Sequence, residues 1–396
     1  MRLTGLFEFF GYKPTADYDH LKAEKEELAD ALARTQQKVI GLEALKAQLE
    51  KERASDARAL ADAATATRLH KARLAWCSPD FVTIPATPEI TSHPMVPREI
   101  QENIQSIGKA LVRPPGDSLF DLCHLERFIR PSRWALYWTL AHAAHATTRE
   151  VKNLTDEDGL SDKFIEVLTQ QIKDLPNTTG VRPPLELGIT PIFRKKKPAI
   201  KEDVVGADIL LVIAGAGLLP TEGARLIWLQ AKLNDMANPY QLDYWRPANA
   251  KGVFQFDALK AMHQPEKGSL VIYAEYSSLL PFVLCASVGQ MPPKAPLTSA
   301  ESKLDLSLVG HRLQEYVAAA TSAQSIGTFS TADDVLEFLK TQTHGALLPL
   351  NVLTVCAQDD PRARSILVEI HQHFEVAMGL VPKREKPRDI ERGLGW

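Results

Sequence analysis

The chain has 396 residues, enough for two or three domains or for one domain with appendages. Hydrophobic residues make up 45% and charged residues 24%, so a packed core is expected and wholesale disorder is not. A net charge of -3 excludes nucleic-acid binding through bulk positive charge, although a local basic cleft remains compatible with it. There is no run of about 18 apolar residues, and the first residues lack the apolar segment and small-residue cleavage site of a secretory signal. Cys77, Cys123, Cys285 and Cys356 are far apart and show no zinc or disulfide spacing. A reduced, cytoplasmic protein with no membrane partner is the expectation.

The first element in chain order is the most biased. Residues 18–69 contain no proline and a single glycine. Leu21, Leu28, Leu42 and Leu49 fall on one seven-residue register with Thr35 in the middle slot, and Tyr18, Leu32 and Val39 fall on the partner register. This spacing predicts a coiled coil over 1–75 that pairs with a second copy, giving a dimer, or folds against another helix of the chain. Residues 76–153 are expected to form a proline-rich linker with helices, the last of them over 132–150 and opened by a Ser132 cap. His142 and His145, three apart on that helix, lack an evident third ligand and read as packed side chains.

The texture then changes. Residues 161–174 predict an amphipathic helix with Phe164, Val167, Leu168 and Ile172 on one face. Strands are predicted over 185–193, 207–214, 225–232 and 269–276, with a short helix over 253–263 before the last. The order α-β-β-β-α-β occupies a core placed at 154–295. Residues 296–396 read as a helical module, with helices over 306–320, 331–341 and 362–378 and a loose tail; Thr331 and Asp334 form a capping box for the second helix.

The segment ILLVIAGAGLLPTEGA admits two readings. Gly215 and Gly217 after a strand suggest a dinucleotide-binding turn, but Pro220 and Gly223 interrupt the helix which that turn requires. The better reading is a loop joining two antiparallel strands. Asp208 then lies on the first strand, and Gln230 and Lys232 lie at the end of the second. Residues i and i+2 of a strand share a face, and a hairpin can bring Asp208 beside them. An acid, a second oxygen ligand and a lysine on one face suit metal-assisted phosphodiester hydrolysis. Other Glu/Gln-x-Lys triplets occur, such as Gln171-Ile172-Lys173, but they lie in predicted helices or a loop, and only Gln230-Ala231-Lys232 ends an apolar strand.

This hairpin and element order resemble the PD-(D/E)xK nuclease superfamily, in particular its Mrr-like restriction endonuclease branch with glutamine in place of the second acid. The resemblance covers about residues 155–280. It implies an α+β, restriction-endonuclease-like core and Mg²⁺-dependent cleavage of DNA, with Mn²⁺ able to substitute. Asp208 and Gln230 would hold the metal, and Lys232 would be the catalytic lysine. The family's additional glutamate from the first core helix would be Glu166, with Glu157 and Glu202 as rivals. The implied setting is bacterial defence against foreign DNA, with a possible partner protein of that system. Arg194, Lys195, Lys196 and Lys197 follow the first core strand and are candidate phosphate contacts, and Tyr240, Tyr244, Trp245 and Arg246 are candidates for stacking or packing. The alternative expectation is a non-catalytic coiled-coil scaffold, or an inactive protein of the nuclease fold that binds a partner.

Overall fold

The computed structural model describes residues 16–77, 123–153, 156–182, 184–191, 207–234, 240–244, 254–280, 282–291, 303–306, 310–342 and 351–377. The chain divides into two compact units, Met1–Arg68 and Leu69–Trp396. Helix α1 (Ala16–Trp76) supplies the first unit and runs into the second. It is rich in Ala, Leu, Glu, Lys and Gln, the residues that lose least on entering a helix. Its seam is uncovered: Leu21, Leu28, Leu32 and Leu42 are each more than 60% exposed.

The second unit is a mixed α+β layer structure. After a short 3-10 turn (Leu125–Arg127) come α2 (Pro131–Glu150), α3 (Glu157–Thr179), β1 (Leu185–Pro191), β2 (Ile209–Ala214), β3 (Ala224–Asn234), β4 (Gln241–Asp243), α4 (Gln255–Met262), β5 (Ser269–Ser277) and β6 (Leu284–Ser287). The chain continues through β7 (Lys303–Asp305), β8 (His311–Arg312), α5 (Leu313–Ser322), α6 (Ala332–Gln342), β9 (Asn351–Ala357) and α7 (Pro361–Ala377). Seven strands form one sheet in the order β1-β9-β2-β3-β5-β6-β8, and β4 pairs with β7 separately. β2 and β3 are antiparallel, whereas β2 with β9 and β3 with β5 are parallel.

Both sheet faces are covered, which is why the central strands read as continuous apolar runs. Ile209, Leu211 and Ile213 of β2 join one apolar cluster with Trp134 and Trp138 of α2, Leu160 and Phe164 of α3, and Val317 of α5. Leu210 and Val212 point the other way, into a cluster with Phe256 of α4, Val335 of α6, and Ile370 and Phe374 of α7. The loop between β2 and β3 is the expected antiparallel connection. Gly215 donates its N–H to Gly223 O at 2.9 Å, and Gly223 has φ +119° with no room for a Cβ against the Phe329 carbonyl.

Several boundaries differ from the sequence reading. Residues 296–396 are not a separate helical module, because β9 lies inside the sheet between β1 and β2 and β8 forms its far edge. The run Val352, Leu353, Thr354, Val355 is short and apolar, and buried strands of that kind carry no alternation to distinguish them from helix. The insertion of β9 also parts β1 from β2, so the core strands are not consecutive neighbours. The helix expected over 306–320 begins at Leu313, after β8. Helix α2 is no part of a linker, since Trp134 and Trp138 are buried. Its N-cap is Arg130 with Pro131 in the first turn; Ser132 lies inside the helix, donating its hydroxyl to Gly217 O at 2.6 Å. The capping box of α6 is present: Asp334 N–H donates to Thr331 Oγ1 at 3.1 Å, and Thr331 N–H to Asp334 Oδ2 at 3.0 Å.

Candidate functional site

Strand β3 outruns its neighbour. β2 begins at Ile209, opposite Leu229, so residues 230–234 extend past the antiparallel pairing while remaining paired with β5 on the other side. The backbone N–H groups of Ala231 and Leu233 therefore lack strand acceptors on the β2 side, and carboxylates take that place. Ala231 N–H donates to Asp208 Oδ2 at 2.7 Å, and Leu233 N–H donates to Glu157 Oε1 at 3.3 Å.

The same splay gathers side chains. Along the face that carries Leu210, Leu226 and Trp228, the strands change from apolar to polar at this end: Asp208 on the approach to β2, Gln230 and Lys232 on β3 and Glu275 on β5. Asp208, Gln230 and Glu275 are each 1% exposed, and Lys232 is 5% exposed. Gln230 Nε2 donates to Asp208 Oδ2 at 2.7 Å and to Ala231 O at 3.0 Å. Its own oxygen, Oε1, is buried with no hydrogen-bond partner. Asp208 is further anchored through its backbone, whose carbonyl accepts from Asn351 N–H of β9 at 3.2 Å.

Lys232 Nζ lies 3.6 Å from Glu157 Oε2. Glu157 opens α3, where the preceding Asp156 caps the helix by accepting from Gly159 N–H at 2.7 Å, and a carboxylate in a first helical turn is favoured by the helix dipole. Glu166 is not at the site. It is 69% exposed and pairs with Lys163 on its own helix at 3.1 Å. Nine residues separate it from Glu157, about 13 Å along the helix axis, so only the residue at the start of α3 meets the end of β3. Of the rivals named from sequence, Glu157 is the one the fold brings in; Glu202 lies outside the described residues, as do Arg194, Lys195, Lys196 and Lys197.

Glu275 of β5 lies on the same face, although no motif in the sequence points to it. It stands opposite Lys232 in the β3–β5 register. Its Oε1 accepts from Asn234 Nδ2 at 2.7 Å, and its Oε2 is buried without a hydrogen-bond partner. Burial raises its pKa from the ordinary 4.5 to about 7, opposed by the Asn234 hydrogen bond and reinforced by the charge of Asp305. A lone acid inside the apolar strand SLVIYAEY was the available signal. On the opposite face of β5, burial pushes the Tyr276 phenol up, and the nearby charge of Asp208 pushes in the same direction.

The oxygen atoms of Asp208, Gln230 and Glu157 are hard donors of the kind Mg²⁺ prefers, and the unmatched Gln230 Oε1 is an acceptor in want of a cation or a donor. By atom type these donors suit Mg²⁺, with the amide NH₂ of Gln230, and not its oxygen, facing Asp208. Other candidates have structural explanations. His142 Nε2–H donates to Trp76 O at 2.8 Å, and Tyr244 packs edge-on against Phe256 with ring centroids 5.4 Å apart. Tyr240 packs half-buried on the same cluster, and Trp245 and Arg246 lie outside the described residues.

No protein-family model, no curated protein and no solved structure matches this chain. Among the described residues, no helix is long and apolar enough to cross a membrane.

Proposed function

We propose that the chain is a metal-dependent nuclease acting on DNA phosphodiesters, with its site at the splayed end of β3. One observation carries the reading: a buried Asp208–Gln230–Lys232 face on which Gln230 Oε1 has no hydrogen-bond partner. Bound Mg²⁺ would supply a Lewis acid and an activated water. Asp208 and Gln230 would hold it, Gln230 fixed by β3 and Asp208 by the Ala231 N–H that it accepts from. Lys232, positioned by Glu157, would stabilise charge on the phosphate. With Asp208 and Gln230 each 1% exposed, a phosphodiester reaches them only after displacement of what covers them. The exposed seam of α1 supports pairing with a second copy of the chain, as the heptad spacing requires.

A second reading has its own observation. Asp208 and Glu157 also satisfy the Ala231 and Leu233 N–H groups, so the same carboxylates would serve as a cap on a splayed strand in a non-catalytic scaffold. Plasmid nicking with Mg²⁺, Mn²⁺ or EDTA separates the two. Lys232→Met keeps the side-chain volume and removes the charge. It should lower cleavage at least about 100-fold while DNA binding and melting temperature stay nearly unchanged. Glu157→Gln should impair cleavage and Glu166→Gln should not. Cleavage that persists in EDTA, or in Lys232→Met, would overturn the metal-dependent site at β3, and no cleavage by the wild type with either metal would favour the scaffold. For assembly, Leu28→Asp with Leu42→Asp should convert a dimer to a monomer by light scattering. An unchanged mass would remove the seam as the pairing device.

A further inference from the structure

Well away from the β3 site, three metal-ligating side chains meet near the end of α1. His70 comes from that helix, and His124 and Glu126 come from the residues around the 3-10 turn before α2. One ligand atom from each lies within 4.8 Å of the other two. The imidazole rings stack with centroids 5.5 Å apart and planes inclined by 26°. Glu126 Oε2 is 4.0 Å from His70 Nδ1. Its other oxygen, Oε1, accepts from Arg73 Nη1 at 2.8 Å, and Arg73 is itself held by donating Nε–H to Thr179 O at 2.9 Å. The guanidinium thus takes one carboxylate oxygen and leaves the other on the imidazole side.

We propose that His70, His124 and Glu126 bind a divalent transition-metal ion of the zinc type. Two imidazole nitrogens and one carboxylate oxygen make a borderline-soft donor set with a fourth position for water, which suits Zn²⁺ or Co²⁺ and not the all-oxygen preference of Mg²⁺. Ion pairing alone is a poor reason for the cluster. His70 and Glu126 are 42% and 55% exposed, and a pair 4.0 Å apart in that setting contributes little. In a tetrahedral site with bonds of about 2.0–2.1 Å, ligand atoms stand about 3.3 Å apart. The His70–Glu126 pair therefore closes by about 0.7 Å and no pair by more than about 1.5 Å, within reach of side-chain rotation at partly exposed positions. Arg73 has the role of the outer hydrogen-bond donor that orients a ligating carboxylate.

The backbone is already prepared for this closure. Cys77, on the same stretch of chain as His70, donates its thiol to Cys123 O at 3.6 Å, and both cysteines are buried. The two segments that bear the ligands are thus in place before any ion arrives, and little ordering is left for it to impose. The ion would clamp the end of α1 to the turn that leads into α2.

Titration of the full-length, EDTA-stripped chain with Co²⁺ tests the proposal through its visible absorption, which does not depend on any catalytic activity. One equivalent should produce the band, and Zn²⁺ should displace Co²⁺ and raise the melting temperature. His70→Ala and His124→Ala should each abolish the band, Glu126→Gln should weaken binding at least tenfold, and Asp208→Ala should leave it intact. These ligands are not core residues, and circular dichroism checks that the variants fold. No saturable Co²⁺ binding below millimolar concentration, or a band that survives His124→Ala, overturns the proposal. Loss of the band in Asp208→Ala alone would place the ion at the β3 site and overturn it too.

Discussion

Buried polar side chains lie at both ends of strand β3, on it and on its neighbour β5, and the two ends treat them differently. At the start, Arg225 is 1% exposed and donates to four backbone carbonyls: Ala320 at 2.6 Å, Ala323 at 2.9 Å, Ile326 at 2.6 Å and Gly327 at 3.0 Å. The first two belong to the end of α5, where a helix leaves carbonyls unpaired and favours a cation. Burial, with Arg133 nearby, pulls the guanidinium only to about 10, so it stays charged at neutral pH. At the far end, Gln230 and Glu275 are as deeply buried, yet each keeps one oxygen without a hydrogen-bond partner. A saturated buried charge holds a fold together. A buried oxygen left without a hydrogen-bond donor costs stability instead.

Removing the saturated charge should have the largest effect. Arg225→Ala leaves one buried and three half-buried carbonyls without their donor and should cost about 3–5 kcal/mol by urea unfolding. A loss below about 1 kcal/mol would break the comparison, because the Arg225 network would then not be structural.

The unsaturated end should respond in the opposite direction, and with pH. The folded-state pKa of Glu275 is raised to about 7 from 4.5, so folding favours its neutral form. Below about pH 4.5 it is protonated folded and unfolded, and it costs nothing. Between about 4.5 and 7 only the unfolded chain releases the proton, so this group's contribution falls as pH rises, and above 7 its full penalty is present. At about 1.4 kcal/mol per pKa unit the penalty is about 3 kcal/mol. Glu275→Gln should therefore stabilise the chain at pH 8 by up to about 3 kcal/mol, with no gain at pH 4. The measurement is urea unfolding of both proteins across that range. An equal effect at both pH values would show that Glu275 does not carry a raised pKa. Lys232→Met sharpens the contrast from the side of activity: its stability change should stay within about 1 kcal/mol, since the ion pair is 3.6 Å long, Glu157 keeps 29% of its side chain in solvent and Met fills the volume of the buried lysine stem.

Much of this was legible in the residues themselves. The heptad leucines of α1, the antiparallel link across Gly215 and Gly223, and the shared face of Gln230 and Lys232 all follow from local periodicity and turn chemistry, which act over a few residues. The meeting of Asp208 with Gln230 followed from the hairpin, because two strands joined by a loop fix their own register. Tertiary structure alone decided the rest. Whether Glu157 or Glu166 reaches Lys232 depends on where α3 crosses the sheet, a matter of its packing on β3 and β1 and not of spacing along the helix. The insertion of β9 between β1 and β2 depends on a parallel pairing over some 140 residues of chain, which local pattern does not encode. Glu275 became part of the site for the same reason: only the parallel pairing of β3 with β5 sets it opposite Lys232.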